Sequence, residues 1–167
     1  MDINFHYFAI KSLAVYAGFS PEDAQTVAEY SQFVDDYNRT GTVQFEEIPE
    51  FARHLAKKNG TSWHLYCVTT GFSNFMDMAG LIRPSHQRHI CIPFHFSPPQ
   101  PLNAPVADDT LWRTEPETLQ KPTLLRGLLE QAESRYRQNP AARENLIGLA
   151  ILLHIFADTY AHQQFSG

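Results

Sequence analysis

Apolar residues recur at helical spacing in several stretches of the chain, separated by polar, glycine-rich or proline-rich breaks. The first stretch predicts a helix over residues 3–17, with His6, Ile10, Leu13 and Ala17 on one face and Gly18 placed to cap its end. A second opens on Ser20 as N-cap, with Pro21 in its first turn and Glu22 and Asp23 set against the helix dipole, and extends to Val34 or Asp35. Ala24, Val27, Ala28, Ser31 and Val34 form its inward stripe. Asp35 belongs to that stripe, within about 20° of Ala24 on the helical wheel, whereas Asp36 points elsewhere. A polar turn over residues 38–42, with Gly41, leads to a further expected helix over residues 47–58 despite Pro49. Helical periodicity returns over residues 123–137 and again from Pro140 past Ala161.

Between these stretches, residues 59–117 have poor periodicity. Gly60, Gly71, Gly80 and a succession of prolines punctuate them. A connection this long inside a compact domain is unusual and often functional. It has room for a short β-hairpin, with one strand expected over residues 64–69. The pattern therefore predicts an all-α, multi-helix bundle with a long irregular Pro-rich connection. The 167 residues suit one domain, 1–167.

Composition narrows the function classes. Hydrophobic residues at 43% and charged residues at 19% describe a globular chain. A net charge of −5 argues against a dedicated nucleic-acid-binding module. Nucleic acid stays open as a substrate, because bound cations supply positive charge. No run approaches the roughly 18 apolar residues of a membrane span. Residues 1–12 lack the layout of a secretory signal, so the expected location is cytoplasmic. Cys67 and Cys91 form no recognised spacing and read as free thiols.

The eight histidines carry the chemistry. In LLHIFADTYAHQQF, His154, Asp158 and His162 stand at i, i+4 and i+8, drifting only about 80° around the helix. The same helix is apolar nearly all round and is expected to be buried. A buried carboxylate between two histidines costs several kcal/mol unless compensated, which bound metal does directly. The outer two backbone positions lie roughly 12 Å apart, too far for one ion to be shared by both. Asp158 is placed between them to serve neighbouring metals. An Asp–His pair locking helices together is the ordinary alternative. His6 and Asp35 likewise occupy positions where an apolar residue is expected. His95 sits in ICIPFHFSPP, held between phenylalanines and prolines as a ligand must be.

In order, these residues resemble the ligand set of the zinc-dependent phospholipase C and fungal single-strand nuclease superfamily, mostly helical proteins with three zinc ions in a cleft. MDINFH is similar to their N-terminal segment, where the terminal amine and a histidine bind zinc; the resemblance assigns those roles to Met1 and His6. SQFVDD resembles the helix that supplies an aspartate, here Asp35, and IPFHF the stretch that supplies His95. LLHIFAD resembles the helix giving His154 and a metal-bridging aspartate, Asp158. The family's further ligands lie downstream of that helix, where this chain offers only His162 before Gly167, so the site is expected to be incomplete at the C-terminus. The resemblance implies two or three zinc ions and a phosphoester hydrolase acting through a metal-activated water. Asp35 and Asp158 would be its catalytic carboxylates, and a phosphoester small molecule or lipid head group its substrate.

Two other readings stand beside it. One is a catalytically incomplete metal-binding or structural domain. The other is a calcium module at DYNRTGTVQFEE, where Asp36, Asn38, Thr40 and Glu47 match EF-hand loop positions. His86 and His89 near Cys91 have no second cluster to complete a zinc finger, and His54 and His64 read as surface or packing residues. The apolar last helix needs a cover, either residues 59–117 or a neighbouring subunit of a homo-oligomer.

Overall fold

The structure is a computed structural model that describes residues 3–38, 41–48, 50–67, 70–71, 92–97 and 114–163. The chain begins as a π-helical segment, Asn4–Ala9, in which the Ile10 amide donates to the Phe5 carbonyl five residues back. It continues as α1, Ile10–Tyr16, and ends at Gly18, whose φ of 93° only glycine adopts freely. Its buried stripe is His6, Ile10 and Ala14. Leu13 and Ala17, expected on that stripe, are exposed, because their side of the helix borders an open groove rather than a packed neighbour.

Helix α2, Pro21–Asp36, starts as its sequence predicts, with Ser20 Oγ accepting from the Asp23 amide at 3.0 Å. Ala24, Val27, Ala28, Ser31 and Val34 are buried, Asp36 is exposed, and Asp35 lies between these extremes. Helix α2 leads into a small antiparallel sheet. Strand β1, Gly41–Phe45, and strand β2, Ala56–Asn59, flank the central β3, Ser62–Cys67, with Gly41 opposite Cys67 and Ala56 opposite Leu65.

The sheet corrects two expectations. The helix expected over residues 47–58 is a short 3-10 segment, Glu50–Leu55, followed by β2. Asn59-Gly60 is the stronger signal: Gly60 takes φ of 61° at the start of a two-residue hairpin turn, and the flanking residues pair across it. The calcium loop also fails. Residues 41–45 are extended along β1, rising about 3.3 Å per residue, so the chain runs away from Asp36 and Asn38 rather than around an ion. Glu47 is followed by the 3-10 segment, not by an exiting α-helix, and Thr40 lies outside the described residues.

Helix α3, Ile92–His95, is a single turn. Helix α4, Leu124–Gln138, is capped by Thr123, whose hydroxyl accepts from the Arg126 amide at 3.1 Å. Helix α5, Arg143–Ala161, runs through the middle of the molecule against α2, α4, α3 and the π-helical segment. The core is Ile10, Ala14, Ala24, Val27, Leu146, Ala150 and Ala157. Among the described residues, the cover of α5 comes from other helices of the same chain. Its remaining apolar side, Leu149, Leu153 and Phe156, lines a groove of about 560 Å³ shared with α1 and α4. Glu117 fixes the end of α5 nearest the histidines. Its amide donates to Thr159 Oγ1 at 3.0 Å, and its carbonyl accepts from the Tyr160 hydroxyl at 2.7 Å. Among the described residues, no helix is long and apolar enough to cross a membrane.

Leu146 is 2% exposed and Leu124 is 54% exposed. Leu146→Ala should lower the unfolding free energy by about 2–5 kcal/mol, and Leu124→Ala by less than about 0.5 kcal/mol, read from urea denaturation midpoints.

Candidate metal centre

Helix α5 projects His154 and Asp158 from successive turns into the bundle, both fully buried, and places His162 just past its last turn. The π-helical segment supplies His6, also fully buried, the last turn of α2 supplies Asp35, and α3 supplies His95. The four histidines meet at Asp158. Its Oδ2 lies 3.0 Å from His95 Nδ1 and 3.1 Å from His154 Nε2. Its Oδ1 lies 3.1 Å from His6 Nε2 and 3.5 Å from His162 Nε2. Asp35 stands opposite and divides the same way: Oδ1 is 3.8 Å from both His95 Nδ1 and His154 Nε2, and Oδ2 is 3.8 Å from His6 Nε2. The His6 and His154 rings stack with centroids 4.0 Å apart.

These residues form two buried clusters able to chelate a metal ion, His6–Asp35–His154 and His95–His154–Asp158, each with its ligand atoms within 4.8 Å of one another. The spacing fits. Ligands held tetrahedrally at about 2.0–2.2 Å from zinc stand about 3.3–3.6 Å from each other, and the imidazole–carboxylate pairs here stand 3.0–3.8 Å apart. Alignment fits as well. His6 Nε2 and Asp158 Oδ1 are close yet misaligned for a hydrogen bond, and neither has another hydrogen-bond partner among the described residues. Buried polar atoms in native proteins nearly always have partners, so near neighbours whose lone pairs miss each other are the mark of donors aimed at a common ion.

Protonation follows from the same contacts. Burial would push Asp158 up, but the His154, His6 and His95 imidazoles against its two oxygens outweigh it and hold the carboxyl far below the usual carboxylate range. Burial lowers the His154 imidazole below its ordinary value, and the neighbouring His6 adds to this against the pull of Asp158. His162 is also lowered, chiefly by burial. At His95 burial again opposes the charged form, yet Asp158, the Thr70 carbonyl and Asp35 together raise it. An ionised carboxylate beside a neutral His154 is the ligand-competent state.

The sequence-predicted residues His6, Asp35, His95, His154, Asp158 and His162 are therefore brought together, and Met1 lies outside the described residues. So do His86, His89 and Cys91, whereas His54 is exposed on the 3-10 segment and His64 is half-buried on β3. Sequence reasoning missed Thr70. Its carbonyl lies 2.8 Å from His95 Nε2, leaving Nδ1 to face the carboxylates. No periodicity or motif marks that position.

Asp158 titrates far lower folded than unfolded, so its stabilisation is complete above the ordinary aspartate value near 4 and is lost as pH falls below it. The metal-free protein should lose urea resistance steeply between about pH 4 and 2. Asp158→Asn should be weaker at pH 7 but flatter across that interval; parallel curves for the two proteins would contradict this account.

No curated protein and no solved structure matches the chain. A family model does, over residues 1–167, and the chain belongs to that family, described as a family of unknown function (DUF6765).

Proposed function

We propose that this protein is a metal-binding helical domain whose buried centre takes two divalent ions of the zinc class. The observation that carries the reading is the division of the two carboxylates. Oδ2 of Asp158 and Oδ1 of Asp35 face His95 and His154, while Oδ1 of Asp158 and Oδ2 of Asp35 face His6. His95, His154 and one oxygen of each aspartate would hold one ion. His6, His162 and the other two oxygens would hold its neighbour. Imidazole with carboxylate suits zinc, and the depressed Asp158 keeps its oxygens ionised for both positions.

The purified full-length protein should carry about two equivalents of zinc by elemental analysis. His154→Gln should lose at least one equivalent and His6→Gln one, with the fold checked by circular dichroism. Metal content of zero in the wild type, or unchanged content in both variants, would falsify the reading.

A second reading, hydrolysis of a phosphoester, is favoured by where the centre meets solvent. His6, His154 and Asp158 are sealed, whereas Asp35 and His162 retain 13% and 27% side-chain exposure. Zinc-class ions supply a Lewis acid and a coordinated water of lowered pKa. A substrate would approach from the Asp35 and His162 side. There Asp35 can orient an attacking water by accepting its hydrogen bond, while Asp158, shielded from solvent, holds the imidazoles in place. This agrees with the resemblance to the phospholipase C and nuclease superfamily. With added zinc, a generic phosphodiester or phosphomonoester should be turned over, and Asp35→Asn should lower kcat by at least about a hundredfold. Absence of turnover across both substrate types, with zinc bound, leaves a metal-binding domain without this chemistry.

A further inference from the structure

We infer that Thr70 and Gly71 are positioning residues of this centre, fixing the His95 tautomer and the place of Asp35 as one unit. The inference rests on the metal-binding reading above.

Helix α2 ends with backbone carbonyls that have no donors within the helix. Two of them are met by a segment more than thirty residues away along the chain. The Thr70 hydroxyl donates to the Val34 carbonyl at 2.8 Å. The Thr70 and Gly71 amides both donate to the Tyr37 carbonyl, at 3.0 and 2.7 Å. These three bonds bracket Asp35 on both sides. Thr70 is 9% exposed, so they are shielded from competing water.

Gly71 makes the approach sterically feasible. A Cβ at this position would stand 2.0 Å from the Asp35 carbonyl oxygen and 2.9 Å from the Tyr37 amide nitrogen, both backbone atoms of the helix end. Any other residue here would push the segment off α2.

The fourth bond leads into the site. A carbonyl only accepts, so the Thr70 oxygen 2.8 Å from His95 Nε2 selects the tautomer with the proton on Nε2. Nδ1, which donates to Asp158 Oδ2 at 3.0 Å and also faces Asp35, is thereby the nitrogen left to exchange its proton for an ion. His95 would then ligate through Nδ1, in contrast to His6 and His154, which face the carboxylates through Nε2. A carbonyl behind a ligating histidine orients the ring and raises its basicity. Here that carbonyl is itself clamped to the helix bearing Asp35, so displacing Thr70 disturbs two ligands at once.

The test uses the full chain with zinc alone. Affinity is read by competition with a chelator, and each ligating nitrogen by long-range ¹H–¹⁵N correlation of the histidine rings. Wild type is expected to ligate through Nδ1 of His95 and Nε2 of His154. Thr70→Val, which keeps the shape and removes the hydroxyl, should weaken zinc binding about tenfold to a hundredfold. Thr70→Ser should restore it, and Gly71→Ala should weaken it at least as much as Thr70→Val. Unaltered zinc affinity in Thr70→Val and Gly71→Ala, with only the melting temperature of the metal-free protein lowered, would reduce these residues to a structural role and overturn the inference. Ligation of His95 through Nε2 in the wild type would overturn it without any variant. A wild type that binds no zinc removes the metal-binding reading itself, an outcome distinct from the other two.

Discussion

The carboxylate of Asp158 is the group around which the molecule is arranged. It is fully buried in the bundle, and four imidazoles from three separate parts of the chain crowd its two oxygens. A buried charge of this kind is costly unless it is paired and hydrogen-bonded on all sides. Each element that meets it therefore has a constrained position. The π-helical segment delivers His6, α3 delivers His95, and α5 delivers His154, Asp158 and His162 along a single line of turns. The second carboxylate, Asp35, faces the same rings from the end of α2.

Packing makes that crowding possible. The buried side of α2 is built largely from small residues, with Ala24, Ala28 and Ser31 all fully buried, which lets neighbouring helices pack close to it. Leu146, Ala150 and Ala157 complete the core on the α5 side. This apolar layer lies along the same helix as His154 and Asp158. The low polarity that stabilises the bundle also strengthens every electrostatic contact at the centre. Glu117 anchors α5 next to Asp158 through Thr159 and Tyr160, so the ligand-bearing turn is held by backbone bonds as well as by the core.

The centre is also graded in its access to water. His6, His154 and Asp158 are sealed, His95 is nearly so, and only Asp35 and His162 reach toward solvent. Burial lowers His154 and His162, while His95, backed by a carbonyl and two carboxylates, moves the other way. Imidazoles of the same intrinsic basicity thus differ because of what stands behind each ring. Metal binding through donors of this kind is coupled to proton release, and to the stability of the fold that assembles them.

Much of this was legible in the sequence. The i, i+4, i+8 spacing of His154, Asp158 and His162 on an apolar helix is a local property, and it placed these three groups on one line whatever packed against them. The same reasoning separated Asp35 from Asp36, and Ser20 with Pro21 marked the start of α2. Short-range rules failed where pairing partners are distant. Residues 41–45 form a strand because β3 lies beside them, and residues 56–59 because Asn59-Gly60 turns the chain back, so a calcium loop and a helix were expected where a sheet stands. The stripe on α1 turned toward Ala14 rather than Leu13 because a groove, not a neighbour, borders the other side. Which oxygen of each aspartate faces which ring, and the clamp by which Thr70 and Gly71 close the end of α2, were decided by the tertiary structure alone. Periodicity records which face of an element is buried, but a contact between residues thirty or more positions apart depends on the path of the chain between them, which no local pattern encodes.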